Sequence, residues 1–76
     1  MQYINFGQFI KTKRMMISPK VSLNQFAIEN DIDPATLSRI ENGKQGVSIK
    51  LLGKIAHGFN TLGSGLLKEY ENLHNN

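Results

Sequence analysis

The chain has 76 residues, enough for one domain near the lower size at which a hydrophobic core suffices, so a single domain over 1–76 is expected. It has no cysteine, which excludes disulfides and thiolate metal sites. No apolar run approaches the roughly 20 residues of a membrane span, and the N-terminus lacks a signal-peptide pattern, so a cytoplasmic protein is expected. The net charge of +3 is unevenly spread. Residues 1–28 carry Lys11, Lys13, Arg14 and Lys20 with no acid, and residues 39–54 carry Arg39, Lys44, Lys50 and Lys54 against Glu41 alone. Such clusters suit a polyanion, and equally they solvate an ordinary surface.

Nothing alternates with period two over a useful length, and five helices account for the chain. The first runs from about Asn5 to Met16, with Phe6, Ile10 and Lys13/Arg14 on one stripe and Phe9 beside it. Ser18-Pro19-Lys20 ends it, because proline disfavours helix in the residue before it. The second, about 22–30, opens on Ser22, and Gln25 three residues on completes a capping box; Leu23, Phe26 and Ala27 face inward. A turn through Asn30-Asp31-Ile32 places Ile32 in the core.

The third helix, about 33–42, is closed at both ends by its own sequence. Asp33 caps the first amides, Pro34 sits where a missing N–H costs nothing, and Gly43 supplies a left-handed end. Between them Leu37 and Ile40 are the large apolar residues, which leaves Ala35, Thr36, Ser38 and Arg39 outward. The fourth helix follows Ser48 with the stripe Ile49, Leu52, Ile55, Ala56 and Phe59, Leu51 alongside, and Asn60 as a left-handed end. The last, about 64–73, starts from Ser64 as cap and carries Leu66, Leu67, Tyr70 and Leu73. The expected fold is all-α.

Catalysis finds little support. His57 and His74 lie far apart, without a second ligand at helical spacing, and no serine/histidine/acid set can be assembled. Gly63-Ser64-Gly65 and Gly43/Gly46 follow no strand and do not make a phosphate loop. No enzyme activity, metal or cofactor is expected. Two short helices joined by a tight turn, the second with a small polar outer face, form the pattern of a helix that enters a DNA groove. Ala27 is small where the third helix must pass close to the second.

The stretch Val21-Ser22-Leu23-Asn24-Gln25-Phe26-Ala27, then Ile32 through Lys44 with its Ile-Glu-Asn-Gly-Lys run, and Val47 through Ala56, resembles the lambda-repressor and Cro-like, or Xre-type, helix-turn-helix family. The likeness covers about two thirds of the chain in register. It implies a five-helix lambda-repressor-like domain whose third helix reads the major groove of double-stranded DNA, with Pro34, Ala35, Thr36, Ser38 and Arg39 at the reading positions. Arg39 suits a guanine edge, a phosphate or a surface ion pair; Ala35 and the Thr36 methyl suit a thymine methyl; the Thr36 and Ser38 hydroxyls suit a base or a phosphate. Asn42 and Lys44 match backbone-contacting positions, and Ser48 and Lys50 suit a phosphate at a helix N-terminus or simple capping and solvation. Arg14 and Glu41 match a pair that braces the reading helix in many members.

Three departures stand out. Leu23 replaces a phosphate-contacting glutamine, a task that then falls to Asn24 or Gln25. Pro34 replaces a polar first residue of the reading helix. The segment Met15 to Lys20 is longer than usual, either bringing Lys20 toward DNA or forming a tolerated insertion.

The resulting expectation is a small sequence-specific transcriptional regulator, with no separate sensing domain, governed by its concentration, its occupancy of DNA or a partner. One reading helix covers too few base pairs for a genome, so a homodimer on a palindromic operator is expected, with Leu62, Leu66, Leu67, Tyr70 and Leu73 as candidate contacts, some of which, Leu66 first, equally suit the monomer core. In size the chain is similar to restriction–modification controller proteins and to phage and mobile-element repressors. The alternative is an antitoxin-like or adaptor module that binds protein through Leu23 and Glu29-Asn30-Asp31, with secondary DNA affinity.

Overall fold

The computed structural model describes residues 5–17 and 20–74, and they fold as α1 (Phe6–Met15), α2 (Leu23–Glu29), α3 (Pro34–Glu41), α4 (Ile49–Gly58) and α5 (Gly63–His74), with no strand among them. The Ser18-Pro19 break expected after the first helix lies outside the described residues. α3 packs on both α1 and α2, and α4 packs on α5. Phe9, Ile10, Phe26, Ala27, Ile32, Leu37, Ile40, Ile55, Ala56 and Leu66 are buried together in one core to which every helix contributes.

Local chemistry accounts for most helix ends. Asn5 caps α1 in a reciprocal box with Gln8: Gln8 N donates to Asn5 Oδ1 at 2.8 Å and Asn5 N to Gln8 Oε1 at 3.4 Å. Ser22 accepts from Gln25 N at 3.1 Å, but the expected box is only half formed, because the Gln25 amide donates to Glu29 Oε2 at 3.0 Å instead of returning to the cap. Asp33 Oδ2 accepts from Thr36 N at 3.2 Å, with Pro34 in the first turn. Gly43 takes φ +72° and Asn60 φ +57°, the left-handed ends expected of them. Asp31, at φ +58°, turns the chain between α2 and α3, and Ile32 N returns to Ala27 O at 2.8 Å.

Two expectations about the second half are corrected. Ile49 does not join the inward stripe of α4 and is 90% exposed. It occupies the first helical position, where the side chain leans toward the N-terminus and past the part of the helix that the core covers. Ser64 does not cap α5. The helix begins one residue earlier, its ladder opening with Leu66 N to Leu62 O at 2.9 Å, so Ser64 falls in the first turn. That phase carries Leu66 into the core.

Candidate nucleic-acid interface

α3 is anchored from within before anything outside can use it. Leu37 and Ile40 are buried, and Glu41 is buried beside them. Arg14 reaches Glu41 from α1 as a two-pronged pair, Nε to Oε2 at 2.8 Å and Nη2 to Oε1 at 2.9 Å, while Nη1 donates to Val21 O at 2.8 Å. A planar guanidinium matches a carboxylate in this way, and the third bond ties the pair to the chain entering α2. Hydrogen bonding to Glu41 raises the Arg14 pKa above the ordinary arginine value; burial opposes this and the Glu41 charge adds to it.

Close backbone contact fixes the same end of α3. A Cβ at Gly7 would lie 1.9 Å from Ile40 O, so α1 can approach α3 at this crossing only with glycine there. On the far side, Lys54 Nζ donates to Asp31 O at 2.8 Å and to Asp31 Oδ2 at 3.3 Å, linking α4 to the left-handed turn that aims α3.

The outer side of α3 is left to solvent. Ala35, Arg39 and Asn42 are exposed, with Pro34, Thr36 and Ser38 half-buried to either side. Positions 35, 39 and 42 fall on one line of a helix, opposite Leu37, Ile40 and Glu41. These side chains are organised among themselves. Thr36 Oγ1 donates to Asp33 Oδ2 at 3.1 Å and accepts from Arg39 Nη2 at 3.2 Å. Arg39 Nε donates to Gln45 Oε1 at 2.7 Å. Asn42 Nδ2 donates to Ser38 Oγ at 3.4 Å. Gln45 is the member that the sequence did not mark. It sits six residues beyond Arg39, after the Gly43 turn, and loop geometry rather than helical spacing brings it back.

The other expected contact residues surround this core of the site less tightly. Asn24 and Gln25 are exposed on α2, Gln25 holding Glu29. Lys44 is exposed just past α3, its N–H closing the turn on Arg39 O at 2.8 Å. Ser48 caps α4 by accepting from Leu51 N at 3.1 Å, and Lys50 is exposed one residue into that helix.

The expected dimer residues divide. Leu62 (76% exposed), Leu67 and Leu73 present apolar surface. Leu66 is 0% exposed and belongs to the monomer core, the role that the sequence left open for it beside the dimer contact. Tyr70 is half-buried, its ring edge-on to Phe6 at 5.2 Å and tilted against Phe9 at 5.4 Å. It closes the core over α1 as much as it faces outward.

Titratable groups elsewhere are paired or dispersed. The apolar cleft between α1 and α5 is lined by Phe9, Thr12, Lys13, Met16, Glu69 and Leu73. Its two charges satisfy each other, Lys13 Nζ to Glu69 Oε2 at 2.6 Å, with the ammonium also over the Phe9 and Phe59 rings. Among the described residues no group of three histidine or acidic side chains could hold a metal ion, and no helix is long and apolar enough to cross a membrane.

A family model described as Helix-turn-helix matches residues 12–63. An uncharacterized HTH-type transcriptional regulator of Bacillus subtilis (strain 168), YvzC, is 44% identical over 45 residues, which are 59% of this chain and 58% of that protein. The match thus spans less than two thirds of the relative's length. No solved structure matches the chain at a comparable level. The matched residues cover more than half of the chain and include α2, α3 and the turn between them, and the chain belongs to the Xre-type, lambda-repressor-like helix-turn-helix family.

Proposed function

We propose that the chain is a sequence-specific DNA-binding transcriptional regulator that lays α3 in the major groove. The division of α3 carries this reading: one side is packed and hydrogen-bonded against α1 and the core, and the other presents Ala35, Thr36, Ser38 and Arg39. A helix so fixed brings base-contacting groups to DNA in a defined register. Pro34 offers no N–H, and the Thr36 hydroxyl is engaged by Asp33 and Arg39, so direct reading falls to the Arg39 fork, the Ala35 and Thr36 methyls and Ser38. Asn42, Lys44, Ser48, Lys50, Asn24 and Gln25 supply phosphate contacts that set the register. The relative in Bacillus subtilis, named as an HTH-type transcriptional regulator, supports the regulatory half of the reading.

An eight-residue helix touches a few base pairs, so we further propose a homodimer with half-sites one helical turn apart. Leu62, Leu67 and Leu73, exposed near and on α5, supply its apolar contact. The protein acts where DNA is accessible to it, in the cytoplasm, and it is a binder rather than an enzyme.

Selection of bound sequences from random duplex DNA, followed by titration of the selected duplex at rising salt, tests the proposal. An enriched palindrome is expected, with affinity falling steeply as salt rises in proportion to the phosphates neutralised. No enrichment and little affinity at low salt would contradict it and favour a module that binds protein.

A further inference from the structure

We propose that Gln45 determines base specificity through Arg39, by holding the guanidinium so that its end-on edge faces DNA and takes guanine. The inference rests on the reading of α3 as the groove-entering helix and adds a residue outside it.

A guanidinium has two edges that can make paired hydrogen bonds, Nε with Nη2 and Nη1 with Nη2. In Arg39 the first is occupied on both atoms. Nε donates to Gln45 Oε1 at 2.7 Å and Nη2 to Thr36 Oγ1 at 3.2 Å. The polarity of this arrangement is set from one end. Asp33 Oδ2 takes the Thr36 hydroxyl proton at 3.1 Å, so Thr36 can meet Arg39 only as an acceptor. At the other end, Nε–H requires an acceptor, so the Gln45 amide presents its oxygen and turns its NH2 away. Asp33, Thr36, Arg39 and Gln45 thus form one chain of bonds across the exposed side of α3, from its cap to the turn beyond Gly43. The Lys44 N–H on Arg39 O at 2.8 Å folds that turn back to bring Gln45 into place.

Nη1 and the second N–H of Nη2 remain as two parallel donors. In the major groove only guanine offers two adjacent acceptors, N7 and O6, to receive them. A free arginine can instead swing to a phosphate, which accepts the same fork equally well. Gln45 and Thr36 hold Arg39 against that swing before DNA arrives, which converts a general anion-binding group into a base-selective one. Thr36 shares the hold, but its place on α3 already made it a candidate contact; Gln45 has no such place and acts by positioning.

The test uses the full chain, a duplex selected by the wild-type protein, and single-base variants of that duplex. Arg39→Ala identifies the guanine position that the side chain reads by abolishing preference there. Gln45→Leu, which keeps a branched side chain but has no acceptor, is expected to lower guanine preference at that same position about fivefold while leaving preferences elsewhere unchanged. Gln45→Glu restores an acceptor and is expected to keep the preference, while weakening all duplexes alike through repulsion from phosphates. Thermal midpoints should match wild type, since Gln45 is on the surface turn. Three outcomes overturn the proposal with α3 still reading DNA: unchanged preference in Gln45→Leu, uniform weakening by Gln45→Leu, or lost preference in Gln45→Glu. An Arg39→Ala variant that keeps every preference overturns it together with the reading of DNA by Arg39.

Discussion

Arg14 and Arg39 carry the same side chain to opposite sides of α3, and the difference between them separates the fold from its use. Arg14 is buried, and its three nitrogens are committed to Glu41 and Val21 O. Arg39 is exposed, with one edge of its fork held by Thr36 and Gln45 and the other free. A fully satisfied guanidinium fixes the position of a helix, and a half-satisfied one on that helix is oriented and still available. The pairing explains how so small a domain can present a stiff contact surface: the stiffness comes from the covered side, and the exposed side need only be arranged.

The comparison breaks most severely at Arg14. Replacing Arg14 with alanine leaves the Glu41 carboxylate buried without its partner, and chemical denaturation should show a loss of about 3–5 kcal/mol, a large part of what a small domain has. Replacing both partners by apolar residues, Arg14→Met with Glu41→Leu, should recover most of that loss, because no buried charge is then stranded. An unrecovered double variant would place the pair's role in geometry rather than charge. Gly7→Ala should cost about 3 kcal/mol by thermal melting, since the new methyl meets Ile40 O and α1 must withdraw from α3.

At Leu67, an exposed position, substitution by aspartate should leave the monomer's stability within about 0.5 kcal/mol while shifting sedimentation toward the monomer. The smallest effect on folding belongs to Arg39. Arg39→Ala should leave stability within about 0.5 kcal/mol, although its effect on DNA preference should be the largest of the set.

The third helix was legible because its signals are local. Asp33, Pro34 and Gly43 act within a few residues of themselves, and each does in the structure what its chemistry requires. The same holds for Ser22, Ser48 and Asn60. Where the outcome depends on what another element covers, the sequence was silent or misleading. Ile49 fits the apolar period of α4 and stands in solvent because nothing packs over the helix start. Gln25 is correctly spaced for a capping box, yet Glu29 one turn later competes for its amide. Among the leucines of α5 the sequence marked Leu66 for the core but kept it also as a dimer contact, and only the packing of α5 decides between the two roles. Gln45 was invisible for a related reason: its partnership with Arg39 crosses a helix end, where neither the helical repeat nor any turn motif predicts contact.

The central claim is that the outer side of α3 is the DNA-contacting surface while its inner side only holds it in place. Backbone amide NMR of the full chain, titrated with a selected duplex, tests this most directly. The account predicts that the largest shifts fall on Ala35, Thr36, Ser38, Arg39, Asn42 and Gln45, with α1 little changed. Shifts concentrated on α5 or on the Glu29-Asn30-Asp31 end of α2, with α3 silent, would contradict it.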